Sequence, residues 1–444
     1  MANKLNNALL PTLAGCIVAA AFLQRAAAEE KAAKPLPDFV NWSYDGAHQT
    51  HNGLRSSIIL NGWWRWMHCY ADYGTKAPTD DAAWYYRKVP GYGQSFSIRG
   101  SDGKNANLQK MPGVPSGKAR SVPFTTAWVE REFVVPAGWK DRDVEVVFEH
   151  NYGESEVHLD GKMLGYTWRY RAHAVPIPKP YKTEPYKMSL KTGGVVNNVW
   201  LRSYEPTGYR IRDSYLTTSH RNMACTIRAA GTGKADGKVR VIITEYGNPE
   251  KIVKRSAPLP VEAEGTGWKI EASFSWKNPK LWTTATPNLY NYYIELADAA
   301  GKAVDRIFPI RFGFREIWID DGYFMLNDHR ISLTMDLHSA LGRTAGKYSI
   351  GRYSNEEYTK KILNRWKDWG IHCAILRSAQ NLDDSELFRV ADEIGFFIGI
   401  DTPGLRYEDP EFMKVPEIRQ STMDRFAAMI LPRRHCPSVV YYHL

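Results

Sequence analysis

The chain has 444 residues, room for about three domains at roughly 150 residues each. Apolar residues make up 43% and charged residues 24%, a globular balance that excludes wholesale disorder. The net charge of +10 is spread evenly: residues 29–205 carry 23 basic and 19 acidic side chains, residues 206–444 carry 33 and 29. There is no basic block of the kind phosphate binding needs, so a nucleic-acid partner is not expected.

Aromatic residues reach 13% of the chain, which suits β-sandwich cores and sugar-binding surfaces alike. Residues 1–28 read as a targeting segment. Lys4 supplies a weak basic start, Leu9 to Leu23 an apolar core, and Ala26-Ala27-Ala28 a small-residue cleavage site. Leu13-Ala14-Gly15-Cys16 offers a lipoprotein box as the alternative, with Cys16 lipidated. No later stretch reaches the roughly 18 apolar residues of a membrane helix. The protein is therefore expected to be exported, periplasmic or extracellular, with no integral membrane segment.

Residues 38–205 read as β-structure: Val129 to Val135 alternates, Val144 to Phe148 follows, and Glu156 to Leu159 runs into an Asp160-Gly161 turn. Short strands at close spacing predict a sandwich. Residues 206–312 form a second all-β stretch whose length suits an immunoglobulin-like module. The pattern changes at residue 313. A strand is predicted over Ile331 to Met335, then a helix opened by Ser354 and Glu357 as a capping box. Tyr358, Ile362, Trp366 and Trp369 line one face of that helix and Gly370 ends it. Strand Cys373 to Leu376, helix Ser385 to Ile394, strand Phe396 to Ile400, helix Thr422 to Leu431 and strand Ser438 to Tyr442 complete the chain. Strand–helix alternation predicts a parallel sheet, here four strands, half of an eight-stranded barrel.

In such a barrel the reacting groups stand at the C-terminal ends of the strands. Those positions hold Asp336 and His338, then Arg377, Gln380 and Asn381, then Asp401 and Thr402, and finally His443. His338, Arg377, Gln380 and Asp401 are the candidate substrate-binding residues, one cationic and one acidic among them, suited to a polyhydroxylated ligand. The structural alternatives are a turn cap for Asp401, a loop histidine for His338 and an Arg377 bridge to Asp401 or Asp336. No catalytic residue is assigned. There is no GxSxG elbow, Walker sequence, HExxH or strand-borne GxGxxG. Cys69, Cys225, Cys373 and Cys436 lie far apart without ligand spacing, so no zinc and no other cofactor is called for. A Cys373–Cys436 bridge and isolated buried thiols both remain open.

Five motifs then carry a resemblance. Leu60-Asn61-Gly62-Trp63-Trp64-Arg65-Trp66 is similar to "LNGxWxF", and Gly193-Gly194-Val195 with Val199-Trp200-Leu201 to "GGIxxxVWL". Asn278-Pro279-Lys280-Leu281-Trp282 with Pro287-Asn288-Leu289-Tyr290 is close to "NPxLWSPxxPxLY". Phe312-Gly313-Phe314-Arg315 matches "FGFR", and His435 with Pro437 to Tyr441 resembles "NHPSVxxWS". In this order and spacing they resemble glycoside hydrolase family 2, the β-galactosidases, β-mannosidases and β-glucuronidases. The resemblance implies a multidomain β plus α/β fold: a sugar-binding jelly-roll (38–205), an immunoglobulin-like β-sandwich (206–312) and the N-terminal half of a (β/α)₈ TIM barrel (313–444). It also implies retaining hydrolysis of β-linked glycosides in oligo- or polysaccharides by two glutamates about 5 Å apart. The acid/base Glu should fall just past Leu444 and the nucleophile further on, which makes the chain a fragment, inactive alone. Two departures stand out: the family's Arg-Gly is absent around Leu333-Thr334-Met335, and Gln380 stands where the family has His. They keep open a non-catalytic carbohydrate-binding protein or degenerate member.

Overall fold

A computed structural model describes residues 35–69, 77–80, 82–90, 98–106, 126–149, 151, 154–167, 172–195, 197–337, 356–377, 385–401 and 411–443. It is mostly β-sheet. The targeting segment lies outside the described residues, and no helix among the described residues is long and apolar enough to cross a membrane.

Two antiparallel sheets face each other first. One orders Gln49–His51, Arg55–Ile59, Val199–Tyr204, Asp143–Phe148 and His173–Pro176; the other orders Tyr85–Val89, Gly62–His68, Ala127–Phe133, Tyr186–Thr192, Ser155–Leu159 and Lys162–Thr167. Alternation drives the packing: Val129 and Phe133 from one sheet meet Val146, Phe148 and Leu201 from the other around Trp64. A second pair of sheets is built on Ala224–Thr232 and Gly267–Ser275 on one side and Lys238–Glu245 and Tyr290–Ala297 on the other. Their inner faces bury Ile227, Trp268, Val241 and Tyr292 in one cluster. Arg55 of the first pair reaches Asp305 of the second.

A three-stranded antiparallel sheet (Ile317–Asp320, Tyr323–Leu326, His329–Ile331) leads to a four-stranded parallel one. The parallel strands Met335–Leu337, Cys373–Arg377, Phe397–Asp401 and Val439–His443 lie in sequence order, alternating with helices Glu356–Asp368, Ser385–Ile394 and Pro416–Ile430. Ala374, Leu376, Ile398, Ile400 and Val439 pack on the helices through Leu363, Trp366, Phe388 and Met429. Cys373 and Phe397 belong to a separate cluster with Trp282 and Leu326.

Three sequence expectations shift here. The strand expected over Ile331 to Met335 is two strands, because the extended link between them joins two sheets, and the Thr334 carbonyl accepts from His372 and Cys373 N–H instead. Asp336 thus lies within its strand and not after it. The third helix starts at Pro416 at its first position, where the ring's fixed φ favours initiation, and not near Thr422. Trp366 is buried against Phe396, whereas Trp369 lies beyond the helix and is 67% exposed. Gly370, at φ 77°, makes that reversal.

His435 sits where the second pair of sheets meets the parallel sheet, against the rings of Tyr215 and Tyr292 and beside Arg434, which pairs with Asp213. Burial, then the Arg434 charge, pushes its imidazole down to about 4. An unfolded histidine titrates near 6.5, so the unfolded chain binds more protons between these values. The neutral ring's contribution is complete above pH 6.5 and lost as pH falls toward 4, by about 3 kcal/mol. His435→Gln is expected to flatten that acid-side loss in urea unfolding between pH 7.5 and 4.5; an unchanged slope would show that the imidazole is not its source.

Candidate functional site

The parallel register assembles the site. Arg377 is the Cα partner of Asp401, and Asp401 of His443, so the last residues of three adjacent strands stand abreast at one sheet edge. On the preceding strand Leu337 pairs with Ile375, two residues short of that row. Of the four substrate-binding candidates, Arg377 and Asp401 are therefore brought together as strand-end neighbours, with His443 beside them. His338 and Gln380 lie outside the described residues, as do Asn381 and Thr402. Asp401 is partly buried.

Below this row, residues of like parity lie on the sheet face away from the helices. Gly399 leaves room there for Tyr441: a Cβ at position 399 would meet the Tyr441 ring 2.2–2.4 Å away. The Tyr441 hydroxyl donates to the Met335 sulfur at 3.3 Å. Burial first, then the proximity of Cys373 and Asp401, pushes that hydroxyl up to about 12, so it remains a proton donor at neutral pH. This Gly399–Tyr441 pair was missed as a site feature; the signal was a glycine inside an otherwise apolar strand.

The floor is a polar joint. Trp282 Nε1 donates to the Asp392 carbonyl at 2.8 Å, and Trp282 packs on Phe397. The Asp392 carboxylate, fully buried, accepts from Arg311 Nε at 2.9 Å and Nη2 at 2.6 Å, and from Ser438 N at 3.0 Å. Arg315 donates to the Val439 carbonyl, and burial pushes its guanidinium down to about 10, still a cation at neutral pH. The strand Val439–His443 is thereby held at its start, which fixes where His443 ends. The arrangement offers a neutral donor and a carboxylate on a rigid platform, chemistry fit for hydroxyl-bearing ligands. Among the described residues no group of His, Cys, Asp and Glu is suited to a metal ion. Cys69, Cys225, Cys373 and Cys436 are free thiols, which settles the bridge alternative for Cys373 and Cys436.

Residues 209–315 match the family described as "Glycosyl hydrolases family 2". A putative beta-glucuronidase of Formosa agariphila is 32% identical over 312 residues, covering 63% of this chain and 35% of that protein. A beta-galactosidase of Vibrio vulnificus is 23% identical over 192 residues, covering 41% and 18%. The chain spans less than half the length of these curated relatives. The fold is similar to that of Bifidobacterium dentium beta-glucuronidase complexed with coumarin-3-O-glucuronide, with a TM-score of 0.67 at 15% identity over 88% of this chain and 68% of that one. It is also similar to beta-glucuronidase from Ruminococcus gnavus, with a TM-score of 0.62 at 17% identity over 88% and 67%. Family match, relatives and fold point one way: the chain is similar to the glycosyl hydrolases of family 2, and residues 209–315 carry that family's pattern.

Proposed function

We propose that the chain is the N-terminal part of an exported β-glycosidase acting on oligo- or polysaccharides, with residues 1–28 as its signal peptide. In this reading residues 38–205 are a sugar-binding jelly-roll, 206–312 an immunoglobulin-like spacer and 313–444 the first half of a TIM barrel. One observation carries it: Arg377, Asp401 and His443 occupy successive strand ends of a parallel sheet, at the edge where barrel enzymes place their chemistry. Hydrolysis proceeds with retention, two glutamates on barrel strands beyond His443 acting as acid/base and nucleophile. Arg377 orients one of them and holds its carboxyl down by charge pairing, a task for a cation that stays charged.

Two assays test this. Purified as 444 residues, the chain is expected to leave aryl β-glycosides untouched, and the chain extended through a complete barrel to turn them over. In the extended chain Arg377→Ala should lower kcat at least about tenfold, about 1.4 kcal/mol, with folding kept. An inert extended chain that still binds saccharide would establish the second reading, a non-catalytic carbohydrate-binding member, which the departures at Leu333 to Met335 and Gln380 favour. Normal kcat in folded Arg377→Ala would leave that arginine a structural bridge.

A further inference from the structure

A cleft of about 370 Å³ lies at the seam between the two pairs of antiparallel sheets, within the range of small-molecule sites. None of its lining residues belongs to the parallel sheet. Asp143 and Glu145 enter it from the first pair of sheets, Lys179 from the segment after His173–Pro176, and Tyr209, Arg210 and Arg212 from the second. Its charges are organised by depth. Glu145 is 7% exposed, and its Oε1 accepts from Arg210 Nη1 at 3.1 Å and Arg212 Nη1 at 3.3 Å. Asp143 accepts from Arg210 Nη2 and from Lys179 Nζ, both at 3.1 Å. Arg210 Cζ lies over the Tyr204 ring, 3.6 Å from its centroid, a cation–π contact.

Acceptors are thus consumed while donors remain. Three cations face two carboxylates. Arg212, 46% exposed, spends only Nη1 among the described residues, and Lys179 is 44% exposed. The remaining acceptor is Glu145 Oε2, buried and without a hydrogen-bond partner among the described residues. A buried carboxylate oxygen left unpaired is costly, and a hydroxyl reaching it would remove that cost. Tyr209 adds a partly exposed ring, its hydroxyl donating to Asp236 at 2.8 Å.

We infer that this seam is a second saccharide-binding site, taking a sugar that carries a carboxylate: the acid group meets the free fork of Arg212 and the Lys179 ammonium, and a ring hydroxyl donates to Glu145 Oε2. The saccharide class rests on the glycosidase reading; the preference for an anion rests on the cleft itself. The planar, always-charged guanidinium suits a carboxylate better than any neutral group.

The test titrates the 444-residue chain, by calorimetry, with an aldobiouronic disaccharide, its carboxyl-reduced counterpart and inorganic phosphate. The acidic disaccharide is expected to bind at least tenfold more tightly than the reduced one. Arg212→Ala, at a half-exposed position, should weaken it at least tenfold with folding checked by the urea midpoint, Arg212→Lys less, and Arg377→Ala not at all. Equal binding of the reduced sugar, or unchanged binding by folded Arg212→Ala, would overturn the site. Displacement of the sugar by phosphate at equal affinity would reduce it to a plain anion site and overturn the saccharide class. Loss in Arg377→Ala with retention in Arg212→Ala would overturn the seam site while leaving the proposed function standing. Binding at the seam in a chain whose extended form turns over no glycoside would overturn that function alone.

Discussion

Asp392→Ala is expected to cost about 3–5 kcal/mol, the range for breaking a buried ion pair by removing one partner. Asp392 is fully buried in the helix Ser385–Ile394 and serves three donors with one carboxylate, Arg311 Nε and Nη2 and Ser438 N. Removing it strands a largely buried guanidinium and the N–H that positions the strand Val439–His443. Asp392→Asn should cost less, because its carbonyl oxygen still accepts one of these bonds. The double variant Asp392→Ala/Arg311→Met should recover part of the loss, since an apolar replacement of both partners leaves no orphaned charge. Urea unfolding gives the free energies, and amide exchange in Val439–His443 reports the strand directly. A single-variant cost below about 1 kcal/mol would mean the pair behaves as an exposed one.

The motifs legible in the sequence turn out to be joints. Leu60-Asn61-Gly62 is clamped by the buried Arg131, which donates to the Leu60 and Asn61 carbonyls, while Asn61 Oδ1 accepts from Val199 N. Trp282 of the Asn278-to-Trp282 run reaches Asp392, and Arg315 of Phe312-to-Arg315 reaches Val439. Such side chains have no local substitute, so they stand out as patterns of residue types in a single chain. The sandwich strands were legible for a different reason: alternation has period two wherever one face is buried. The errors came where that logic has no purchase. Ile331-Ser332-Leu333-Thr334-Met335 alternates straight across a change of sheet, with no turn residue to mark the break. Thr422 was read as the helix's first residue but is a buried residue inside it, while the true start has no side-chain cap at all. At the site, strand ends could be counted from the apolar runs before them, which located Arg377, Asp401 and His443. His338 and Gln380, outside the described residues, stand in stretches of sequence without periodicity, which offer types of residue and no geometry.

Arg55→Ala is expected to be as damaging at the other seam, about 3–5 kcal/mol. Arg55 begins the strand Arg55–Ile59, is 8% exposed, and meets Asp305 through a fork: Nε to Oδ1 at 2.7 Å and Nη2 to Oδ2 at 2.6 Å. The same Nη2 donates to the Ile211 carbonyl at 2.7 Å, and Ile211 N donates back to Asp305 Oδ2 at 2.7 Å. Arg55 also faces the Tyr204 ring at 5.1 Å. Truncation leaves Asp305 buried with only backbone donors, so the two pairs of sheets lose a buried ion pair that joins them. Arg55→Lys should rescue little, because an ammonium cannot supply two parallel donors to one carboxylate and a third to the Ile211 carbonyl in this plane. Since Arg210 leads directly into Ile211, slackening this joint should also weaken the acidic disaccharide at the adjoining cleft. Urea midpoints read the first effect and calorimetry the second; full stability in Arg55→Ala would show that apolar packing alone holds the two pairs of sheets in place.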